Sequence, residues 1–555
     1  MKKILILSLV MLAAIACDQK TYFDLERPPQ FPWNSMAELE MAAIEPYRAI
    51  GNNAWGDPMG EFNLYMYTTS DISQLIPGTS GNLYWYEYYN RLYRTTASAG
   101  RLNDVWTICY NTITSCNIAI DFITGKEDAK ELVVPGMTTA DYENQVKRIK
   151  GELYFMRAFA YYHLVRFFCP PYVAGGTNTG KYITLRTKFT EDPASIQNSY
   201  LGTVEEVYQQ MLKDLLAAKD LLPNKYNSGI HNASYKSGRA NKFVASGMLA
   251  RLYFLMGDYT KAETECTFII DQGGYSIEGI SPMDAFSRNA GMADSPEVIW
   301  EMVSNRNADF GEKIATTINK SHYTAMNGGR GTSWSRCGWD QFTMSYYALK
   351  KIGWMTDPAN GNYTETAEAK KDLRYHSVTN PDDAVTSQRG YWYRLEPFVD
   401  EAASGVDHTT WLNKYETQYR SVPAAQVWCD KYYRAPDGRY ANIPFMRLPE
   451  FLLTRSVLKF LKNDKTGAAV DLNRVRVRAG LSSIAAANLT KDDIDNERIK
   501  ELGAEAGDWV TYKISLKEPI GLGDRKSDVK LITPPYADFF WNVPIIESDL
   551  NSAYK

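Results

Sequence analysis

Apolar residues recur every three or four positions along several long stretches of the chain, which is the spacing of a helix with one buried face. The stretches with this spacing are residues 103–123, 145–168, 203–222 and 450–480. Thr203 and Glu206 form a helix start signal, because a Thr and a Glu three residues apart can cap each other's backbone. Pro223 follows the same stretch and ends it. The chain is therefore predicted to be mainly α-helical.

Residues 247–270 carry a more specific pattern, which fits the turn and flanks of a tetratricopeptide repeat. Gly257 permits a tight reversal, Tyr259 fills the angle between two paired helices, and Ala262 lets them approach closely. A single repeat cannot bury its own apolar face, so the other predicted helices are expected to stack on this pair. An isolated helical hairpin is the alternative interpretation of the segment.

The helical spacing is lost between about residues 275 and 445, where Gly, Asn and Asp are frequent and aromatic residues cluster. This composition predicts a large loop-rich insertion, and binding residues tend to lie on such loops. The helical scaffold is then formed by about residues 33–274 and 446–555. Residues 33–555 are expected to fold as a single domain.

The chain begins with the layout of a bacterial lipoprotein leader. A short basic start precedes an apolar run that is too short to cross a bilayer, which needs ~20 residues. Ala16 stands directly before Cys17, as in a lipobox. This predicts a signal peptide at residues 1–16, lipidation of Cys17, with palmitate incorporation as its test, and a polar tether at residues 17–32. A soluble periplasmic protein with an ordinary cleaved leader is the alternative.

The remaining cysteines and the histidines show no metal-ligand spacing. Cys109 and Cys116 would lie ~10 Å apart on a helix, which is too far for a disulfide. The six cysteines after Cys17 are predicted to be small buried hydrophobes, and His163 a core residue. Neither a cofactor nor a metal is predicted, and the net charge of −4 gives no support for nucleic-acid binding.

Catalytic motifs are missing from the sequence, which contains no G-x-S-x-G, P-loop or G-x-G-x-x-G pattern. The Gly521-Leu-Gly523 fragment alone is too short to indicate a phosphate site. Two carboxylates close together can catalyse glycoside hydrolysis, but some such pair is inevitable among 65 acidic residues. Its presence therefore does not indicate that activity. We therefore predict a binding protein that is not an enzyme, with a hydrolase and a purely structural interaction protein as the weaker alternatives.

Aromatic residues make up 13% of the chain, and the densest run, residues 82–94, follows neither strict alternation nor a helical stripe. Some of its rings must therefore be exposed, although any single ring could pack on the scaffold. Exposed Tyr and Trp rings stack on the flat apolar faces of sugars, while Asp, Asn and Arg reach the hydroxyls. A second aromatic cluster lies in the predicted insertion. The candidate ligand-binding residues are Asp71, Tyr84, Trp85, Tyr86, Tyr88, Asn90, Arg94, Tyr323, Trp334, Arg336 and Trp339.

Five blocks of sequence together resemble one known family. They are residues 148–167, 241–262, the pair 447–453 and 471–481, 494–505 and 541–545. With these blocks the chain resembles the SusD/RagB family of nutrient-binding outer-membrane lipoproteins. The resemblance implies a tetratricopeptide scaffold, anchored by its lipid on the extracellular face, that acts as a lid on a SusC-like TonB-dependent transporter. It also implies an oligosaccharide ligand, with oligopeptides as the alternative, and favours Tyr84, Trp85, Trp334 and Trp339 as contacts.

Overall fold

The computed structural model describes most of the chain outside the predicted leader, tether and parts of the insertion. The described residues are 33–51, 65–75, 83–94, 96–197, 199–236, 238–287, 295–303, 342–356, 364–378, 390–395, 427–429, 431, 442–505 and 509–554. Cys17, Tyr323, Trp334, Arg336 and Trp339 lie outside these ranges, so their predicted roles stay predictions.

The described part of the chain is mainly helical, which confirms the predicted fold class. Its labelled helices are α1 Met36–Gly51, α2 Leu83–Tyr89, α3 Thr96–Asp128, α4 Lys147–Phe168, α5 Val204–Leu221, α6 Lys242–Met256, α7 Tyr259–Gln272, α8 Leu448–Leu461, α9 Lys465–Arg478, α10 Lys491–Leu502 and α11 Trp509–Ser515. Shorter helical segments are Thr139–Asp141, Tyr142–Val146, Pro193–Gln197, Ala233–Lys236, Asp284–Phe286, Tyr346–Lys351, Ala367–Lys371, Ala486–Asn488, Ile545–Leu550 and Ser552–Tyr554. The predicted helical stretch at 450–480 comprises two helices, α8 and α9.

The strands are short and form small sheets. They are β1 Ser73–Leu75, β2 Lys181–Thr184, β3 Leu201–Thr203, β4 Val298–Met302, β5 Phe342–Met344, β6 Met355–Thr356, β7 Thr364–Glu365, β8 Tyr375–Val378, β9 Trp392–Leu395, β10 Val427–Cys429 and β11 Ile443–Arg447. Antiparallel pairs join β1 to β5, β2 to β3, β4 to β11, β6 to β7 and β9 to β10. Strands β8 and β9 are parallel.

Helices α6 and α7 form the paired unit that the sequence predicts. Gly257 ends α6 with a φ of 77°, a left-handed conformation that glycine adopts without strain. The ring of Tyr259 packs on Phe254 with 5.8 Å between ring centroids, and Ala262 is fully buried where the helices meet. Helices α3, α4, α5, α6, α7, α8 and α9 each pack against the next one in this order. The expected stacking of the other helices on the pair is thus confirmed.

Bidentate arginine–carboxylate pairs lie buried between the stacked helices. They are Arg157–Asp214 between α4 and α5, Arg251–Glu450 between α6 and α8, and Arg455–Asp471 between α8 and α9. Each pair has N–O distances of 2.7 to 2.8 Å, so both carboxylate oxygens are used. Four of these six residues, Arg157, Arg251, Glu450 and Asp471, lie in the family-like blocks, so charged residues of these blocks join neighbouring helices.

The hydrophobic core confirms several expectations. His163 is fully buried against the ring of Phe159, and burial lowers its pKa well below the ordinary value. The cysteines predicted to be buried, and found so, are Cys109, Cys116, Cys169, Cys266 and Cys429, while Cys337 lies outside the described residues. Trp106, Trp300 and Trp541 are buried in the core as well. Within the described ranges, every helix is too short or too polar to cross a membrane.

Candidate functional site

The aromatic run of the sequence forms helix α2 and the turn that follows it. Tyr86 is 55% exposed, whereas Tyr88 is fully buried against Tyr65 and Trp541, with ring centroids 4.6 and 5.9 Å away. The run thus contains both exposed and buried rings, as its lack of a single apolar face indicates. Tyr84 and Trp85 lie in α2, but the described part of the structure does not include their side chains.

Arg91 fastens the turn after α2 to the C-terminal part of the chain. Its backbone has a φ of 58°, and its side chain is buried. The guanidinium donates hydrogen bonds to the backbone oxygens of Thr69 (3.1 Å), Lys530 (2.8 Å) and Gly521 (2.6 Å). These bonds hold the segment around residues 520–530 beside α2.

Asp71 lies under the same segment and is buried. Its Oδ1 accepts a hydrogen bond from Trp509 Nε1 at 2.7 Å, and its Oδ2 accepts one from the backbone N–H of Gly521 at 3.2 Å. Both oxygens are thus used inside the protein. The structure therefore gives Asp71 and Tyr88 structural positions, in contrast to the expectation that they reach a ligand, because the distant C-terminal segment covers them.

Arg525 provides a second attachment between the two segments. Its guanidinium lies 4.0 Å from the ring centroid of Tyr89 and donates to the backbone oxygens of Tyr89 (2.6 Å) and Thr68 (2.5 Å). Burial, reinforced by the neighbouring charge of Arg91, lowers the pKa of Arg525 from 12.5 to about 10. Two buried arginines thus lie behind helix α2.

Gly523 and Asp524 fix the path of the C-terminal segment. Gly523 has a φ of 60°, and a Cβ atom there would come within 2.3 Å of the backbone oxygen of Asp71. The carboxylate of Asp524 accepts hydrogen bonds from the backbone N–H groups of Tyr346 and Tyr347, at the start of the helical segment Tyr346–Lys351. The Gly521-Leu-Gly523 fragment therefore allows close backbone packing, and this is its role in the structure.

An open groove of about 570 Å³ lies between α2 with its following turn and the C-terminal segment. Tyr86, Asn90 and Arg94, three of the predicted ligand-binding residues, line it together. Residues of the opposite wall are Lys526, Asp528, Val529, Lys530 and Asp538. The groove thus combines an aromatic ring that is more than half exposed with amide and charged side chains around an open space.

Arg94 and Asn90 are held by neighbouring groups. The guanidinium of Arg94 stacks on the ring of Phe540 at 3.9 Å and donates to Asn542 Oδ1 at 2.9 Å. Asn90 Nδ2 donates to the backbone oxygen of Tyr86 at 2.8 Å, and this leaves the amide oxygen of Asn90 as an acceptor for a ligand hydroxyl. The polar side chains of this wall are therefore positioned before any ligand arrives.

The far wall of the groove was not found by sequence reasoning. Lys526 and Lys530 are more than 430 positions from Asn90 along the chain, and residues 526–530 carry no motif. A signal did exist in Gly521 and Gly523, since paired glycines can mark a close backbone approach. Among the residues that the structure describes, no group of three or more His, Cys, Asp or Glu side chains could hold a metal ion.

Models of known families match two parts of the chain. A model described as "Starch-binding associating with outer membrane" matches residues 51–254, and one described as "SusD family" matches residues 296–510. The SusD-like protein P2 of Formosa agariphila is 24% identical over 509 residues, which cover 87% of this chain and 85% of that protein.

Solved structures give the same fold. A SusD superfamily protein from Bacteroides thetaiotaomicron has a TM-score of 0.65 at 18% identity, covering 94% of this chain and 98% of the other. Surface glycan-binding protein A from the same organism, solved in complex with laminarihexaose, has a TM-score of 0.62 at 15% identity, with coverages of 94% and 98%. At these identities the likeness establishes the fold and leaves the ligand open.

Proposed function

Because this chain belongs to the SusD family, we propose that it captures oligosaccharides at the cell surface and delivers them to a SusC-like TonB-dependent transporter, for which it acts as a lid. The family is associated with the outer membrane. We assign the attachment to lipidated Cys17, followed by the tether at residues 17–32, with the folded part of the chain on the extracellular side.

The groove beside helix α2 is the observation that carries this proposal. Tyr86 exposes a ring that can stack on the apolar face of a sugar, and Asn90 and Arg94 offer an acceptor and donors for its hydroxyls. A volume of about 570 Å³ accommodates a short oligosaccharide. A structurally similar protein was solved with laminarihexaose, which supports a glycan as the ligand class.

The second aromatic cluster belongs to the proposal as well. The sequence predicts ligand contacts at Tyr323, Trp334, Arg336 and Trp339 as well as at Tyr84 and Trp85, and we propose that these residues extend the binding surface. A double Trp85→Ala, Trp334→Ala variant that binds as tightly as the unaltered protein would contradict this extension.

Removing the ring of Tyr86 tests the groove directly. We expect Tyr86→Ala to weaken binding of the best glycan by about tenfold, because one stacked ring contributes ~1.4 kcal/mol in such a site. Calorimetry against a panel of neutral and acidic oligosaccharides and mixed peptides measures the affinity. Tyr200→Ala is the matched control, since Tyr200 is 53% exposed and lies outside the groove.

The outcomes separate the possible functions. Equal loss in both variants, or no loss in either, would contradict the groove assignment. Peptide binding in place of glycan binding would favour an oligopeptide carrier, and shortened products after long incubation would favour a glycoside hydrolase. In cells, deletion of the transporter gene should abolish uptake and leave surface binding intact. Loss of binding in that strain would favour a purely structural role.

A further inference from the structure

The groove is cationic although the whole chain is acidic. Its lining contains four cationic side chains, two arginines and two lysines, against the two aspartates Asp528 and Asp538. The full chain, in contrast, has a net charge of −4. Because the charge of the groove is opposite in sign to the net charge of the whole protein, the local electrostatic field favours an anionic ligand.

Lys526 and Lys530 supply the accessible part of this charge. Both side chains are exposed, and within the described residues neither forms a salt bridge. The backbone at Lys530 is nevertheless fixed, because its oxygen accepts a hydrogen bond from Arg91 at 2.8 Å. Both lysines line the groove, and their ammonium groups remain able to bind a ligand anion.

Arg91 and Arg525 add charge from beneath the groove. Both guanidinium groups are buried, and their hydrogen bonds go to backbone oxygens and, for Arg525, also to Ser73 Oγ. In the described part of the chain neither contacts a carboxylate. Asp71 attracts both charges and Asp524 attracts that of Arg525, so these two acids offset part of the positive charge of the two arginines. The part of their positive charge that these acids do not offset acts on the groove through protein, where water screens it little.

We propose that the groove selects acidic saccharides, whose sugars carry carboxylate or sulfate groups. Tyr86 stacks on a sugar face, while Lys526 and Lys530 bind the anionic substituents from the opposite wall. Arg94 contributes a guanidinium from the wall that carries Tyr86. This inference rests on the proposed glycan-binding function and narrows its ligand class. A saccharide is favoured over an acidic peptide because the cations face an exposed ring on a glycan-binding fold.

Charge reversal of the two lysines tests the selectivity. We expect Lys526→Glu, Lys530→Glu to lower the affinity for hexagalacturonate or for a sulfated carrageenan oligosaccharide by about tenfold or more. The affinity of the unaltered protein for either probe should also fall as salt is raised from low to physiological concentration. The carboxylated and sulfated probes distinguish the two kinds of acidic substituent. Neutral laminarihexaose should bind more weakly than at least one acidic probe, and its affinity should change less than twofold in the double variant.

Two further variants make the result specific. Lys225→Glu, Lys236→Glu reverses two exposed lysines outside the groove and should leave the acidic probe bound as before. Lys526→Arg, Lys530→Arg keeps both charges and should retain binding. Thermal unfolding of each variant verifies folding.

Several outcomes would overturn the inference. Tighter binding of laminarihexaose, or an equal loss in the control pair, would remove the anionic selectivity and leave the proposed glycan-binding function standing. Binding of polyglutamate through the same lysines, with no acidic saccharide bound, would assign the groove to acidic peptides. Failure to bind any saccharide would overturn both the inference and the proposed function.

Discussion

Asp71 is a buried acid whose two oxygens join parts of the chain that are far apart in sequence. Asp71→Ala removes the acceptor for both Trp509 Nε1 and the backbone N–H of Gly521. Leaving buried donors without a partner costs ~1–3 kcal/mol, so we expect the free energy of unfolding to fall by about that amount. Denaturant unfolding followed by fluorescence measures it.

Asp528 provides the control, because it lines the groove and is exposed. Asp528→Ala should change the free energy of unfolding by less than ~0.5 kcal/mol, as for most surface substitutions. If Asp71→Ala were as stable as Asp528→Ala, the two hydrogen bonds of Asp71 would not contribute to the fold and its assignment as a structural residue would be wrong.

At the scale of elements, the turn between α6 and α7 depends on Gly257. Its φ of 77° is strained for other residues, and a Cβ atom there would lie 2.8 Å from the Cβ of Ala174. We expect Gly257→Ala to lower the free energy of unfolding by ~1–3 kcal/mol through backbone strain and this contact. Thermal or denaturant unfolding measures the change.

Gly125 is a matched control with the opposite expected sign. It lies inside helix α3, and a Cβ atom there would meet nothing within 4 Å. Alanine is favoured over glycine inside a helix, so Gly125→Ala should raise stability by ~0.5–1 kcal/mol. If Gly125→Ala lowered the free energy of unfolding as much as Gly257→Ala, the left-handed conformation of Gly257 would not be the cause of its destabilisation.

The helices could be predicted from the sequence because their signals are local. The capping box of Thr203 and Glu206 and the turn at Gly257 lie at the expected positions. The buried ion pairs between helices could not be predicted in the same way. A charged residue such as Arg251 reads as exposed until its partner, here Glu450, is known from the packing of distant helices.

At the scale of the whole molecule, only one wall of the groove could be predicted. Tyr86, Asn90 and Arg94 stand close together in sequence and could be recognised by composition. Lys526 and Lys530 line the same groove only because the chain, after the helical stack, comes back beside helix α2. The same C-terminal segment buries residues near α2 that the sequence predicts to contact a ligand. The spacing of apolar residues describes a single element and does not show which distant segment will cover it.

Helix α1, the first helix of the described residues, is joined to the rest of the molecule by a buried ion network. The carboxylate of Glu40 contacts Arg148 in α4 and Arg239, and accepts a hydrogen bond from Ser234 Oγ at 2.8 Å. Burial alone raises the pKa of Glu40, but Arg239 and Arg148 outweigh it, so the pKa lies below the ordinary value of 4.5.

This lowered pKa makes the stability depend on pH with a definite sign. As pH falls, the unfolded chain takes up the proton first, so the contribution of Glu40 is complete above about pH 4.5 and is lost as pH falls through the lower folded value. Glu40→Gln should therefore lower the free energy of unfolding by ~1–3 kcal/mol at neutral pH, and its difference from the unaltered protein should shrink below about pH 4.5.

Glu45→Gln is the control for this network, because it removes a surface ion pair on the same helix. Glu45 pairs with Arg48 where the two side chains are 42% and 47% exposed, so its loss should cost ~0.5 kcal/mol or less. Unfolding curves of the three proteins between pH 3 and pH 7 make the comparison. A Glu40→Gln effect that is constant over this range, or no larger than that of Glu45→Gln, would mean that α1 is held by apolar contacts and that the buried charges contribute little.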